Sequence, residues 1–277
     1  MESGRLFELD RGKCIACGLC VKECAFKALR RGDDGRPDLP DEAKCMRCQH
    51  CLAVCPKGAI VFDGRRPEDS VPLAGLELPT AAAAENWLRT RRSIRHFRRE
   101  DVDRALLTRI LQTLGNSPTG CNARGLTFTC YPDRVSMDAF RRRFLTAVAA
   151  HRDGTKVLPR WLAAPAIRMR RGGEDLFFRG APGMLIISSD EQNPEVTTPN
   201  EDVAAAICAF ELLANAHGLG TCWCGFLRLV QSAVPELLEA TSGIRRTTPF
   251  YAMLFGLPAV RYARGVQRDG YAKIVWQ

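Results

Sequence analysis

Apolar positions along the chain fall into strand-like alternation and helix-like recurrence, and the pattern assigns most elements. Leu6-Phe7-Glu8-Leu9 alternates weakly and predicts an edge strand, and Ala59-Ile60-Val61-Phe62 predicts a second strand that closes the same small unit by pairing with it. Between them a short helix is predicted over Leu19 to Ala28. A loop is predicted over Asp33 to Pro40, where Gly, Asp and Pro accumulate. From Gly64 to Pro79, Pro67, Pro72, Gly75 and Pro79 interrupt any regular element, which marks a linker. Thr80 then precedes Ala81 to Ala84 and a helix to about Thr90. Asp101 to Leu114 places Val102, Ala105, Leu106, Ile110, Leu111 and Leu114 on one helical face, ended by Gly115 to Gly120.

Further on, Leu126 to Tyr131 predicts a strand, Ser136 to Ala150 a basic amphipathic helix and Gly183 to Ser189 a buried strand. Thr198-Pro199-Asn200-Glu201 has the form of a capping box with proline at the first helical position, and opens an apolar helix to His217. Gly218 to Thr221 stops it. The apolar segment Cys222 to Phe226, a helix near Leu229 to Ala240 and a strand Tyr251 to Phe255 precede a tail with few apolar repeats. The class is α+β: a small unit over residues 1–66, a linker over 67–80 and a larger unit over 81–277.

Chemistry concentrates in the small unit. Eight cysteines fall into two like cassettes, Cys14-x2-Cys17-x2-Cys20-x3-Cys24 and Cys45-x2-Cys48-x2-Cys51-x3-Cys55-Pro56, the one internal repeat in the sequence. Three thiolates two residues apart on a tight loop can face one cubane, while the fourth points to the other cluster. One cluster would take Cys14, Cys17, Cys20 and Cys55, and the second Cys45, Cys48, Cys51 and Cys24. Zinc and disulfides are the alternatives, but a zinc site wants two separated pairs and leaves the third and fourth cysteine of each cassette without a purpose. The region resembles a bacterial-type ferredoxin with two 4Fe-4S clusters. It departs at Ala25, where the family often has proline, without losing a ligand.

At 277 residues the chain has room for two domains, and 46% hydrophobic with 26% charged residues is globular composition rather than disorder. Met1-Glu2-Ser3-Gly4-Arg5 leads into no apolar core of signal-peptide length, and no apolar run reaches the length of a membrane span, so a cytoplasmic setting is expected. There, thirteen cysteines read as ligands and free thiols. The net charge of +9 would permit nucleic-acid contact, but the basic residues are spread over Arg89 to Arg99, Arg141 to Arg143, Arg168 to Arg171 and the tail. Such spacing suits small anions, and no nucleic-acid partner is expected.

Arg91, Arg92, Ser93 and Arg95 put three guanidinium groups and a hydroxyl within five residues, a concentration suited to a phosphate. Taken alone, a solvated basic stretch explains them as well. Three further segments follow in order: Pro118-Thr119-Gly120-Cys121-Asn122, Gly218-Leu219-Gly220-Thr221-Cys222-Trp223-Cys224-Gly225, and a late arginine, Arg264. From Arg91 onward the chain resembles the FMN-dependent nitroreductases. The resemblance implies an α+β domain that dimerises around FMN, with both subunits contributing to each site. It implies that Arg91, Arg92, Ser93, Arg95 and Arg264 serve the phosphate side, that Pro118, Thr119 and Asn122 approach the flavin, and that Leu219, Gly220 and Thr221 offer backbone contacts. Arg124 stands where the family often has glutamine, and either binds an anionic substrate or lies on the surface.

Gly218-Leu219-Gly220 is no dinucleotide fingerprint, because a third glycine is missing and a helix precedes it. The remaining cysteines, Cys121, Cys130, Cys208, Cys222 and Cys224, read as small buried hydrophobes rather than a redox set. No catalytic side chain is assigned, His50, His96 and His217 included. The expected activity is a reductase in which the clusters pass single electrons to FMN for reduction of a small acceptor, a nitroaromatic, a quinone or similar, with ferredoxin or NAD(P)H as external donor. Two other readings stay open: an electron carrier or redox sensor with a protein partner, and an NAD(P)H-driven nitroreductase whose clusters are structural or regulatory.

Overall fold

A computed structural model describes residues 5–152, 158–190, 192–268 and 270–277. Met1 to Gly4, part of the segment read above for a signal peptide, lies outside them. The chain divides into two units, Met1–Leu78 and Pro79–Gln277.

In the first unit β1 (Phe7–Leu9), α1 (Leu19–Glu23), β2 (Arg30–Arg31), β3 (Pro37–Asp38), α2 (His50–Ala53) and β4 (Ile60–Phe62) follow in order. β1 pairs antiparallel with β4, Phe7 opposite Phe62 and Leu9 opposite Ile60, as the end strands were expected to do. α1 is shorter than the predicted helix to Ala28. Cys24 leaves it with extended backbone, and its Sγ accepts a hydrogen bond from the Leu29 N–H at 3.4 Å. The predicted loop at Asp33 to Pro40 contains β3, which pairs with β2 across a tight turn where Gly35 takes a left-handed φ of 78°.

The second unit contains α3 (Ala81–Thr90), α4 (Arg104–Thr113), β5 (Leu126–Tyr131), α5 (Arg134–Arg152), α6 (Arg160–Arg170), β6 (Gly183–Ser189), α7 (Pro199–Ala216), β7 (Gly220–Trp223), α8 (Gly225–Ala233), α9 (Pro235–Ser242) and β8 (Phe250–Gly256). Helix starts follow capping chemistry. Thr80, Asp103 and Asp133 accept backbone N–H bonds from Ala83, Leu106 and Ser136. The expected capping box at Thr198 is absent. Its hydroxyl donates to Asp202 Oδ1 at 2.8 Å and makes no side-chain cap, because a buried carboxylate is the stronger acceptor. The single helix expected over Leu229 to Ala240 is two, since Pro235 forces Val234 out of helical backbone. α6 was not read from the pattern, because Pro165 sits inside it.

The four strands form one antiparallel sheet in the order β5-β6-β8-β7. Both faces are covered. Leu185, Ile187, Met253 and Phe255 pack against α4 and α7, with Leu107, Ile110, Ile207 and Phe210. Met184, Ile186, Ala252 and Leu254 face α5, α6, α8 and α9, with Phe140, Phe144, Leu162, Leu227 and Leu238. Burial on both sides is why β6 reads as a continuous apolar run rather than an alternation.

Candidate functional site

Each cysteine cassette wraps a loop that turns twice through left-handed backbone, at Ala16 (54°) and Gly18 (76°) in the first and at Arg47 (54°) and Gln49 (62°) in the second. The turns are followed directly by α1 and α2, whose first residues carry the third cysteine of each cassette, Cys20 and Cys51. The fourth cysteine is held by the chain beyond it: Cys55 Sγ accepts from the Ala59 N–H at 3.3 Å, matching Cys24 and Leu29. Two cavities result. One is lined by Cys45, Cys48, Cys51 and Cys24, with Phe26, Leu29, Leu39 and Phe62 around them. The other is lined by Cys14, Cys17, Cys20 and Cys55, with Leu9, Ile15, Leu19 and Ile60. Each cavity is thus lined by four thiols drawn from both cassettes.

Burial pushes the Cys51 thiol up to about 12, and raises Cys20 and Cys45 in the same direction. Without metal these thiols keep their protons at neutral pH, and binding an iron–sulfur centre would release them. Among the described residues no three Cys, His, Asp or Glu side chains converge closely enough for a single metal ion.

In the second unit the basic segment after α3 lies along β7. Ser93 bridges to Thr221, and the Ile94 N–H donates to the Thr221 carbonyl at 2.8 Å. Gly220 is required here, because a Cβ would press into Ile94. Beneath this junction sits a buried carboxylate. Glu211, 3% exposed in the middle of α7, accepts from Thr221 Oγ1 at 3.1 Å and from Trp223 Nε1 at 3.0 Å, and forms an ion pair with Arg91 Nε at 3.1 Å. Asn215 extends the network, donating to the Leu219 carbonyl and to Thr221 Oγ1 and accepting from Trp87 Nε1. Arg92 folds back to donate to the Arg91 and Arg89 carbonyls at the end of α3, while Arg95 is exposed. An open cleft runs past Arg89, Arg91 and Arg92, bounded on the other side by Gly265 to Arg268. Arg264 is exposed one residue before that wall.

Pro118, Thr119 and Asn122 sit elsewhere, on a loop docked to the start of α7. The Gly120 N–H donates to Asp202 Oδ1 at 2.9 Å, and a Cβ at Gly120 would collide with Thr197 and Thr198. Cys121, Asn122 and Arg124 all take left-handed backbone, with Arg124 Nε donating to Asn122 Oδ1 at 3.5 Å. Beside the loop, Ser117 Oγ and Asp202 Oδ2 are buried without a hydrogen-bond partner among the described residues.

Glu211, Asn215 and Asp202 were missed in the sequence. A signal existed for Glu211: it is the lone carboxylate within the apolar stretch from Val203 to Ala214, where a charge needs a dedicated partner. Leu219, Gly220 and Thr221 are buried, and the Leu219 and Thr221 carbonyls are already engaged within the chain. Cys222 and Cys224 are buried, and burial pushes Cys224 up to about 12, consistent with inert thiols. Cys121 and Cys208 are exposed, so the reading of all five as buried hydrophobes holds for neither. Arg141 is taken up structurally, bonding Asp138, Asp175 and the Ala181 carbonyl.

A model of the nitroreductase family matches residues 88–257. The chain belongs to the nitroreductase family. A model of the 4Fe-4S dicluster domain matches residues 13–60, so this nitroreductase-family oxidoreductase carries an N-terminal ferredoxin-type domain. In fold it is similar to a nitroreductase with bound FMN from Bacteroides fragilis, with a TM-score of 0.54 and 20% identity over 71% of this chain and 100% of that one. It is 34% identical over 86 residues to a ferredoxin of Pyrobaculum islandicum, covering 31% of this chain and 69% of the ferredoxin. An uncharacterized protein of Methanocaldococcus jannaschii is 34% identical over 55 residues, where the match spans only 20% of that protein's length. Among the described residues no helix is long and apolar enough to cross a membrane.

Proposed function

We propose that the protein is an FMN-dependent reductase in which two 4Fe-4S clusters pass single electrons to FMN for two-electron reduction of a small acceptor of nitroaromatic or quinone type. The observation that carries this reading is the pair of four-cysteine cavities in a chain whose other unit has the nitroreductase fold. When bound, the flavin links one-electron supply to two-electron delivery. The rest is the work of this chain's residues.

Cys14, Cys17, Cys20 and Cys55 hold one cluster and Cys45, Cys48, Cys51 and Cys24 the other. Arg91, with Ser93 and Arg95 beside it, presents cationic and hydroxyl groups to the phosphate end of FMN, and the open arginine-walled cleft fits such an anion. Glu211 fixes Arg91 from behind, so its direction is set before a ligand arrives. Arg92 serves the site through the end of α3 that it ties down, and Arg264 from the tail. Pro118, Thr119 and Asn122 complete the ring side from a second subunit. Asp202, which anchors their loop, and Asn215, which anchors the Gly218 to Thr221 segment, lie at opposite ends of α7, about 20 Å apart along its axis. That separation supports a homodimer in which each site draws on both chains.

Two variants test the electron path. Cys20→Ala and Cys51→Ala are expected to abolish acceptor reduction driven by reduced ferredoxin. Loss of ferredoxin-driven turnover in a variant that still folds and binds FMN supports the path through the clusters, whereas NAD(P)H-driven turnover that stays intact favours the reading in which the clusters are structural or regulatory. Full ferredoxin-driven turnover in a variant confirmed to lack a cluster would overturn that path.

A further inference from the structure

Arg31, on β2, reaches back over the first cassette. Its Nη1 donates to the Ala16 and Gly35 carbonyls, each at 3.2 Å, and its Nη2 to the carbonyl of the cluster cysteine Cys17 at 3.4 Å. Gly18 makes the room, because a Cβ there would overlap the Arg31 guanidinium. The second cassette repeats the first thirty-one residues later, Cys14 to Cys45, Ala16 to Arg47 and Gly18 to Gln49, with matching left-handed backbone at both positions. The same offset carries Arg31 to Phe62, which is 2% exposed and lines the second cavity. The repeat therefore holds in the backbone and changes in charge at two places: Arg31 clasps the first ligand loop where the phenyl ring of Phe62 packs beside the second, and the exposed Arg47 stands in the second loop where the first has Ala16.

We propose that Arg31 raises the reduction potential of the cluster held by Cys14, Cys17, Cys20 and Cys55 much more than that of its neighbour, so that the two clusters are electrically distinct. The inference rests on the two-cluster reading above. Reduction adds negative charge to a cluster, and a fixed guanidinium, charged at every working pH, stabilises that charge. Three bonded carbonyls hold it against the Cys17 loop, so the charge keeps its place as the cluster cycles. Arg31 is exposed, and salt weakens its effect accordingly. It touches no substrate. Its role is to set which of the two clusters holds the electron longer.

The test is an anaerobic redox titration of the full-length, cluster-loaded protein, followed by absorbance and electron paramagnetic resonance, for wild type, R31Q and R47Q. The wild type should contain about eight iron and eight sulfide per chain. R31Q is expected to lower one of two couples by a factor of about ten in its equilibrium constant, about 59 mV for one electron, and to leave the other in place. R47Q must leave the Arg31-sensitive couple where it is. If R31Q loads iron poorly, R31K decides, since it keeps the charge and loses the fork: its couple stays near the wild-type value on this account and falls with R31Q on a purely structural one. Fewer iron and sulfide in the wild type would overturn the two-cluster reading and the asymmetry with it. Two full clusters whose couples R31Q leaves unmoved, or moves equally, would overturn the asymmetry alone.

Discussion

In the small unit Cys20 and Cys51 stand in the buried core, beside Leu6, Leu29, Leu52, Ile60 and Phe62, and each also lines a four-cysteine cavity. In the large unit Cys222 and Cys224 are buried just as deeply, among the apolar side chains between the sheet and α5, α6, α8 and α9. The same residue type is buried for opposite purposes. A unit of this size gains little from so few apolar side chains, and on the proposed reading the cassette thiolates cross-link its loops through the clusters. The large unit has apolar layers on both faces of its sheet and needs no such link.

That contrast can be broken directly. Removing iron by anaerobic chelation is expected to unfold the small unit while the large unit keeps its thermal transition. Calorimetry with two resolvable transitions checks this, and a single joint loss would contradict it. In the opposite direction, Phe144→Ala strips a ring that meets Phe177, Phe178 and Phe226 at 5.5 to 5.8 Å and should destabilise the large unit by about 3–5 kcal/mol. Its iron content should be that of the wild type.

A buried charge gives the next effect. Glu211→Ala leaves Thr221 Oγ1 and Trp223 Nε1 without their acceptor and Arg91 without its ion-pair partner, at a cost of about 3 kcal/mol by urea denaturation. FMN binding, followed by flavin fluorescence, should weaken with it, while cluster absorbance is unchanged.

The smallest effect sits at a helix end. Asp133→Ala removes the cap of α5, where the carboxylate accepts from the Ser136 N–H at 2.8 Å, and should cost about 1 kcal/mol. Bonds from the Ser136 backbone and hydroxyl hold this carboxyl below its ordinary 3.8. Because the folded value is lowered, the stabilisation is complete above about pH 4 and is lost as pH falls through the folded value. The difference in melting temperature between wild type and variant should therefore be constant at neutral pH and shrink in acid.

What could be read in the sequence divides along the same line. The grouping of the cassette cysteines around two cavities was legible because their spacing is local, and β5 and β6 fell where their apolar runs did. α1 ended early because the Cys24 thiol is bound by Leu29, and α8 and α9 separated because Pro235 constrains its predecessor. Both are local rules that apolar spacing had outweighed. The Glu211 network was not legible as a network, because it joins Trp87, Arg91, Glu211, Asn215, Thr221 and Trp223 from α3 and its following segment, α7 and β7. Spacing along the chain carries no record of that convergence.

The measurement that bears most directly on the electron path is anaerobic stopped-flow absorbance of the protein with its iron, sulfide and FMN content established, mixed in turn with reduced ferredoxin and with NAD(P)H. The account predicts that reduced ferredoxin bleaches the clusters before or together with the flavin. Direct reduction of the flavin by NAD(P)H with the clusters lagging behind would contradict it, and would make the ferredoxin domain an outlet or a regulator.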